Sequence, residues 1–306
     1  MDRVGIVIVT CNSEAVIGEC LDAALRTGAD VVVVDNASAD GTGEVVARRG
    51  ARLIANAENR GFAAGVNQGI SALETSLILL LNPDAVLVSG LDELAKWCSR
   101  PEAAGAGGCL IGSDGRAQVG FMVRRFPTPP ALICEALLIN RLWPRNRVNW
   151  HYRCLDLDYA MPMAVEQPAG AFLMIRRDVW SQLGGFDEGY HPVWFEDVDF
   201  CRRAALAGYT LYYVPEGVAK HTGGHSILKV GLEIRPFYWY RSLLRYSARH
   251  FRPGTVRVIA LAVIAGAMLR WGAGVLPRRG RQSNTGYRRV IRLARRYLWS
   301  GGRVAG

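Results

Sequence analysis

The chain has 306 residues, half of them hydrophobic, which is enough for one large α/β domain with an appendage and excludes disorder as the default state. Its net charge of +10 is unevenly placed: residues 241–306 hold 15 Arg and no Lys, Asp or Glu, so the first 240 residues carry −5. A mildly acidic body with a strongly basic tail points to a polyanionic partner for the tail, either an anionic lipid leaflet or nucleic acid.

In chain order, residues 4–9 (Val-Gly-Ile-Val-Ile-Val) form a short β-branched run, read as a strand buried on both faces. Met1-Asp2-Arg3 and this run are too short for a signal peptide. Ser13 is placed to cap a helix reaching about Arg26. Residues 31–34 give a second strand ending at Asp35, and Asp40-Gly41-Thr42 turns into a helix through about Arg49. A short strand at 52–55, a helix at 63–73 and a buried strand at 77–81 follow. This alternation predicts a mainly parallel central sheet with flanking helices. Residues 100–165 are less regular. Order returns with a strand at 171–175, a helix at 177–183, a helix at 196–207 and a strand at 210–214. The boundary is placed at 235, giving a catalytic-type domain over 1–235 and a basic helical tail over 236–306. Within the tail, residues 258–269 form a 12-residue apolar run between Arg257 and Arg270, short of the ~20 residues of a membrane span. Tyr287, Val290, Ile291, Ala294, Tyr297 and Leu298 recur at helical spacing with arginines between them, the pattern of a basic amphipathic helix that lies on anionic lipid. A helix packed on its own domain with an arginine-rich solvent face is the competing reading. The seven Cys, an odd count with no C-x-x-C pair, signal neither a disulfide framework nor a zinc site and fit reduced thiols.

In parallel sheets, ligands bind beyond the carboxyl ends of the strands, which draws attention to Thr10, Asn12, Asp35, Asn36, Asn82 and Asp84. Asp35 could bond a nucleoside, but the turn after the first strand lacks the glycines of a dinucleotide site, and no P-loop is present. Asn82-Pro83-Asp84 sets a carboxylate where it could hold Mg²⁺ or Mn²⁺ against a diphosphate; alone, it is as readily a turn. Trp194-Phe195-Glu196-Asp197-Val198-Asp199 gathers three carboxylates within four positions beside two aromatics. They serve either as N-terminal helix acids or as a general base. His221 and His225 share a glycine-rich loop that could contact a ligand or phosphate.

The segments Val7-Ile8-Val9-Thr10-Cys11-Asn12, Val33-Val34-Asp35-Asn36-Ala37-Ser38-Ala39-Asp40-Gly41-Thr42, Asn59-Arg60-Gly61-Phe62-Ala63-Ala64-Gly65-Val66-Asn67, Leu81-Asn82-Pro83-Asp84 and Phe195-Glu196-Asp197-Val198-Asp199 occur in that order. Together they resemble the family 2 glycosyltransferases of the GT-A nucleotide-diphospho-sugar transferase fold, in the bacterial rhamnosyltransferase-like branch, over residues 4–230. The resemblance implies that Thr10, Asn12, Asp35, Asn36, Asn59, Gly61, Asn67 and Asp84 bind a nucleotide-sugar donor. It implies that Asp197, with Glu196 beside it, is the general base, that Gly170, Ala171 and Trp194 lie near the acceptor, and that Asp84 and His221 contact a divalent cation, Mg²⁺ or Mn²⁺. Asn82 stands where the family's first D-x-D acid would be, leaving one strong carboxylate in that motif. The implied reaction is inverting transfer of a sugar, best matched by L-rhamnose from dTDP-rhamnose, to a polyprenyl-diphosphate-linked or polysaccharide acceptor in cell-envelope synthesis. UDP- or GDP-linked galactofuranose, N-acetylglucosamine or mannose is the alternative, and a non-catalytic glycan- or nucleotide-binding protein the remoter one. The expected address is cytoplasmic, peripheral to the inner face of the membrane through the basic tail. Nucleic acid is not an expected partner, and homo-oligomerisation stays open.

Overall fold

The computed structural model describes residues 3–223, 231, 233–274 and 284–302. The chain opens with β1 (Val4–Thr10), α1 (Glu14–Leu25), β2 (Asp30–Asp35), α2 (Thr42–Arg48), β3 (Arg52–Ala55), α3 (Phe62–Ser71) and β4 (Leu77–Leu81), the alternation its apolar runs imply. Next come β5 (Ala85–Ser89), α4 (Leu91–Cys98), β6 (Ala103–Ile111), β7 (Val123–Arg124), α5 (Pro129–Ala136), α6 (Ile139–Leu142) and α7 (Arg147–Tyr152). They are followed by β8 (Met163–Val165), β9 (Gln167–Pro168), β10 (Phe172–Arg176), α8 (Arg177–Gln182), α9 (Glu196–Leu206) and β11 (Thr210–His221). The tail is α10 (Arg235–His250), α11 (Pro253–Gly274) and α12 (Asn284–Ser300). Two compact units result. The first combines Met1–Phe126, Arg153–Glu188 and Glu196–Lys229; the second combines Pro127–Tyr152, Gly189–Phe195 and Val230–Gly306. The helical unit thus draws in two stretches upstream of the boundary expected at 235.

The first unit is built on a sheet ordered β3-β2-β1-β4-β10-β6-β11-β5, with β8 also on β11. β3, β2, β1 and β4 are mutually parallel, as are β6 and β11. β10 runs antiparallel between β4 and β6, and β5 and β8 pair antiparallel with β11. Strand residues alternate between two apolar layers. Ile6, Ile8, Val31, Val33 and Leu79 share one with residues of α1, α2 and α4; Val7, Val9, Val32, Val34 and Leu80 share the other with residues of α3, α8 and α9. Burial on both faces explains why these strands read as unbroken apolar runs, each large side chain contributing roughly 1.5–3 kcal/mol.

β6 has no such signature because its sequence is Ala-Ala-Gly-Ala-Gly-Gly-Cys-Leu-Ile. A Cβ on Gly105, Gly107 or Gly108 would overlap Met174 O, Pro168 Cβ or Gly217 O, so close strand packing demands glycine here. Ser13 does precede α1, but its side chain makes no cap; its Oγ donates to Cys11 O at 3.4 Å.

In the second unit, α11 packs against α5, α10 and α12. It is 22 residues long, so the 12-residue apolar run understates it, and by length and composition it could cross a membrane. Arg270 does not end it; its guanidinium donates to Ala136 O and Glu135 O at the end of α5. α12 is the amphipathic helix expected at 287–298. Its apolar residues Val290, Ala294 and Tyr297, however, are buried against α10 and α11 rather than left for lipid.

Candidate active site

The expected nucleotide residues gather at the carboxyl ends of β1 and β2 because those strands pair in parallel with Thr10 opposite Asp35. Asn36 N donates to Thr10 O at 2.8 Å, continuing the ladder by one bond. Asn12 turns the chain with a φ of 54°, a conformation asparagine tolerates. Its amide stitches the two turns together: Asn12 N donates to Ser38 Oγ at 2.7 Å, and Ala39 N donates to Asn12 Oδ1 at 2.7 Å. Ser38 Oγ in turn donates to Asp35, which also accepts from Ser38 N at 3.3 Å. Thr10 Oγ1 is buried with no hydrogen-bond partner among the described residues. Asn36 Nδ2 donates to Gly61 O at 3.0 Å, and Asn59 Oδ1 accepts from Gly61 N at 2.9 Å, so the glycine turn before α3 joins the same cluster. Gly61 has a φ of 87°, which a side chain would strain. Asn67 is different. Its amide is committed to Trp180 Nε1, to Phe186 N and O, and to Glu188, so it braces α3 against the 180–188 segment instead of the Thr10–Asp35 turn.

Asp84 and His221 are separated by 137 positions, yet β5 and β11 pair with Ala85 opposite His221. Asp84 Oδ1 therefore lies 3.5 Å from His221 Nε2, and both side chains are buried. Gln118 fixes the ring: its Nε2 donates to His221 O at 2.9 Å, which leaves its Oε1 to accept from Nδ1 at 2.9 Å. In the neutral ring, Nε2 then presents a lone pair to a carboxylate oxygen. Two buried electron-pair donors face to face fit a cation between them, one oxygen and one nitrogen ligand of the kind Mn²⁺ or Mg²⁺ accepts alongside phosphate oxygens. Among the described residues no group of three His, Cys, Asp or Glu is assembled. Phe121 stacks on the His221 ring at 5.3 Å. His225, considered with His221 in the sequence, lies outside the described residues.

Antiparallel pairing of β10 with β4 brings Gly170 and Ala171, the residues expected near an acceptor, to the same end. Leu81 is opposite Phe172, and Asn82 N donates to Ala171 O at 3.0 Å. One residue earlier, Gly170 N donates to Asp197 Oδ2 at 3.0 Å. Asp197 also accepts from Gln167 Nε2 at 3.3 Å and, through Oδ1, from Val198 N at 2.8 Å. Gly170 has no room for a side chain, since a Cβ would stand 3.0 Å from Asp197 Cβ. The Asp84–His221 pair and the Asp197 carboxylate are thus linked through Asn82, Ala171 and Gly170.

The three acids opening α9 have separate environments. Asp199 is buried against Arg203 at 2.8 Å, and Arg203 also donates to Leu183 O and Gly185 O, so this acid is structural. Glu196 is buried, its Oε2 has no partner among the described residues, and burial beside the Asp197 charge holds its carboxyl well above the usual range. Burial also raises Asp197, but the Gly170 and Val198 N–H groups and the charge of Arg124 oppose the rise. Half-buried and held by three N–H donors that favour its charged form, Asp197 is the acid of the pair better equipped to ionise. Trp194 belongs to the second unit, on a turn where it and Phe195 take φ values of 83° and 72°. Such values cost bulky residues ~1–3 kcal/mol each. Within that unit the Phe195 ring rests against Tyr246 at 5.4 Å and Trp239 at 6.2 Å. Gln118, Phe121, Arg124 and Gln167 are contributors the motifs did not expose, because they lie in or beside the irregular 100–165 stretch and act through contacts made only by tertiary pairing. A cavity of ≈ 460 Å³ lined by Arg3, Asp30, Arg52 and Thr75 lies at the amino ends of β1 and β2, away from this cluster.

The chain is a glycosyltransferase by its family match. Residues 5–163 match the family described as glycosyl transferase family 2, and residues 143–305 match glycosyl transferase family group 2. The chain belongs to glycosyltransferase family 2, and within it resembles the rhamnosyltransferases. It is 29% identical over 263 residues, covering 75% of this chain and 82% of the relative, to the N-acetylglucosaminyl-diphospho-decaprenol L-rhamnosyltransferase of Mycobacterium tuberculosis. It is 29% identical over 190 residues to the rhamnosyltransferase WbbL of Escherichia coli, covering 61% of this chain and 67% of that one. In fold it is similar to the mannosyltransferase PcManGT of Pyrobaculum calidifontis, solved with GDP-Man and Mn²⁺, with a TM-score of 0.55 and 20% identity over 98% of this chain and 88% of that chain.

Proposed function

We propose that this glycosyltransferase moves L-rhamnose from dTDP-rhamnose, with inversion, onto a lipid-linked or polysaccharide acceptor of the cell envelope, at the cytoplasmic face of the membrane. The observation that carries the mechanism is the Asp197 carboxylate, held by three N–H donors and joined through Gly170, Ala171 and Asn82 to the Asp84–His221 pair. The two rhamnosyltransferase relatives support the donor, and the decaprenol-linked substrate in the name of the mycobacterial one supports a lipid-linked acceptor.

In this reading, Thr10, Asn12, Asp35, Asn36, Asn59 and Gly61 bind the nucleoside. The unpartnered Thr10 hydroxyl is available to it. Asp197 accepts the proton of the acceptor hydroxyl as its oxygen attacks the anomeric carbon. The bond from that carbon to the diphosphate oxygen breaks on the opposite face, and the nucleoside diphosphate departs with the bonding pair. Mg²⁺ or Mn²⁺ held by Asp84 and His221 would supply Lewis-acid neutralisation of the charge that develops on the departing diphosphate. Gln118 keeps Nε2 of His221 turned toward Asp84, and the lack of a side chain at Gly170 lets Asp197 pack against it and accept from its N–H. The position of Asp197 in the first turn of α9 favours its ionised form.

A donor panel tests the reading. The purified chain with Mn²⁺ is expected to hydrolyse dTDP-rhamnose slowly and to be stabilised thermally by it. Response to UDP- or GDP-sugars alone would retain the transferase and discard rhamnose, and silence across the panel from folded protein would reject the proposal.

A further inference from the structure

The apolar side of α12 is already covered, so lipid contact cannot use it. The exposed apolar surface of the tail lies on α11. Val258, Leu261, Ala265, Met268, Leu269 and Gly272 are all exposed, and at helical spacing they fall in one stripe about 100° wide. Val258, Leu261, Met268 and Leu269 leave 52–58% of their surface open. The opposite side of the helix, including Val256, Ile259, Ala260, Val263 and Ala267, is fully buried. Arg257 and Arg270 aside, α11 is therefore apolar both inward, where it completes the packing of its unit, and outward, where its stripe is left open among the described residues.

α12 runs antiparallel along one edge of this stripe. Arg288 lies over the Trp271 ring at 5.4 Å near the end of α11. Gly301, just past α12, sits against Pro253 and Arg257 at the start of α11. The exposed face of α12 carries Arg288, Arg289, Arg292, Arg295, Arg296 and an 83% exposed Trp299. Hydrocarbon accepts the stripe, lipid phosphates accept guanidinium bonds, and tryptophan favours the boundary between them. A second copy of the chain fits less well, because the two tails would oppose rows of arginine with no acid anywhere in 241–306. A spanning α11 fits less well too, because α12 would be drawn with its arginines to hydrocarbon depth.

The geometry points to α11 as an in-plane membrane helix: its 258–272 stripe enters the acyl boundary of an anionic leaflet, and the arginines of α12 bind the headgroup phosphates. This deepens the lipid-linked acceptor reading and rests on it for its purpose, while the binding itself is measured without any acceptor. Truncating the tail would strip α5 of its packing, so surface variants of the full chain are the test. Wild type should partition into vesicles of phosphatidylcholine with phosphatidylglycerol far more than into phosphatidylcholine alone, and salt should weaken the binding. Leu261→Glu/Met268→Glu should weaken partition at least ~10-fold, with melting temperature and donor hydrolysis unchanged. Val258→Lys serves as a second variant should that pair melt early. Arg288→Gln/Arg292→Gln/Arg295→Gln should weaken it roughly 10²-fold. Wild-type partition by folded stripe variants would overturn the inference, as would resistance of wild type to alkaline carbonate extraction. A wild-type dimer split by Leu261→Glu/Met268→Glu would assign the stripe to a second copy instead. Donor hydrolysis reports on the transferase reading separately, so either idea can fail alone.

Discussion

Exchanging the two neighbouring acids of α9 one at a time separates base from bystander. Asp197→Asn keeps the size of the side chain but removes its charge. The carboxylate accepts three N–H bonds. An amide can accept on one side only, so its NH₂ must face either Val198 N–H or the Gly170 and Gln167 donors. Bonds to a charged acceptor are worth ~1.5–3 kcal/mol each, against ~0.5–1.5 for neutral ones. Burial, which raises Asp197, refunds part of that loss, so the variant should fold. The catalytic loss should be larger, 10²–10⁴-fold in kcat, or about 2.7–5.4 kcal/mol at ~1.36 kcal/mol per decade. Glu196→Gln, by contrast, replaces a carboxyl whose neutral form burial favours, and should stay within about tenfold of wild type. The assay is nucleoside diphosphate release from dTDP-rhamnose with Mn²⁺ and a lipid-linked acceptor. Because burial raises Asp197, the acid limb of kcat/KM should lie above the ordinary carboxylate range, with rate rising as pH increases and Asp197 ionises. The reasoning is refuted if Asp197→Asn keeps more than a tenth of wild-type turnover, or if Glu196→Gln falls as far as Asp197→Asn.

Further outcomes follow from the same geometry. The carboxyl of Glu196 is raised in the folded protein, so the folded state holds a proton the unfolded state has lost; stability attributable to this group is full below the unfolded pKa and declines as pH rises toward the folded one, by up to ~1.4 kcal/mol per pH unit. Glu196→Gln should therefore melt like wild type near pH 4 and higher than it at pH 7–8 in paired thermal scans; parallel curves would sink the assignment. Gly170→Ala forces a methyl to 3.2 Å from Asp197 Oδ2, and turnover should drop ~10–10²-fold with donor affinity retained in binding titrations. Chelation should abolish turnover, with Mn²⁺ restoring it in wild type, while His221→Ala should need far more Mn²⁺ for half-maximal rate. Calorimetric titration of Mn²⁺ with nucleoside diphosphate present checks the last point, and equal requirements would remove His221 from the cation site.

The sequence made β1, β2, β4 and the acids of α9 legible because each is locally consistent: an apolar run buried on both faces, then polar residues at its carboxyl end. β6 was hidden for a physical reason, since neighbouring strands approach so closely that three glycines replace the residues that usually announce a strand. The site was legible in its acids but not in what orients them. Gln118 and Gln167 each act through one or two bonds created by tertiary pairing, and no local pattern marks such a residue. Asn67 shows the reverse case, a residue inside a recognisable motif whose amide braces α3 to its neighbours. In the tail the periodicity of α12 was correct, but the side of a helix that meets protein is decided by partners, and periodicity alone does not name them.

The helical unit is assembled from three separate stretches of chain, threaded between segments of the catalytic one. It therefore cannot be exchanged at a single junction. Diversification of such an enzyme must proceed by altering or lengthening inserts at 127–152 and 189–195 in step with the tail. A chimera that swaps only the last seventy residues would leave two of the three strands of that braid behind.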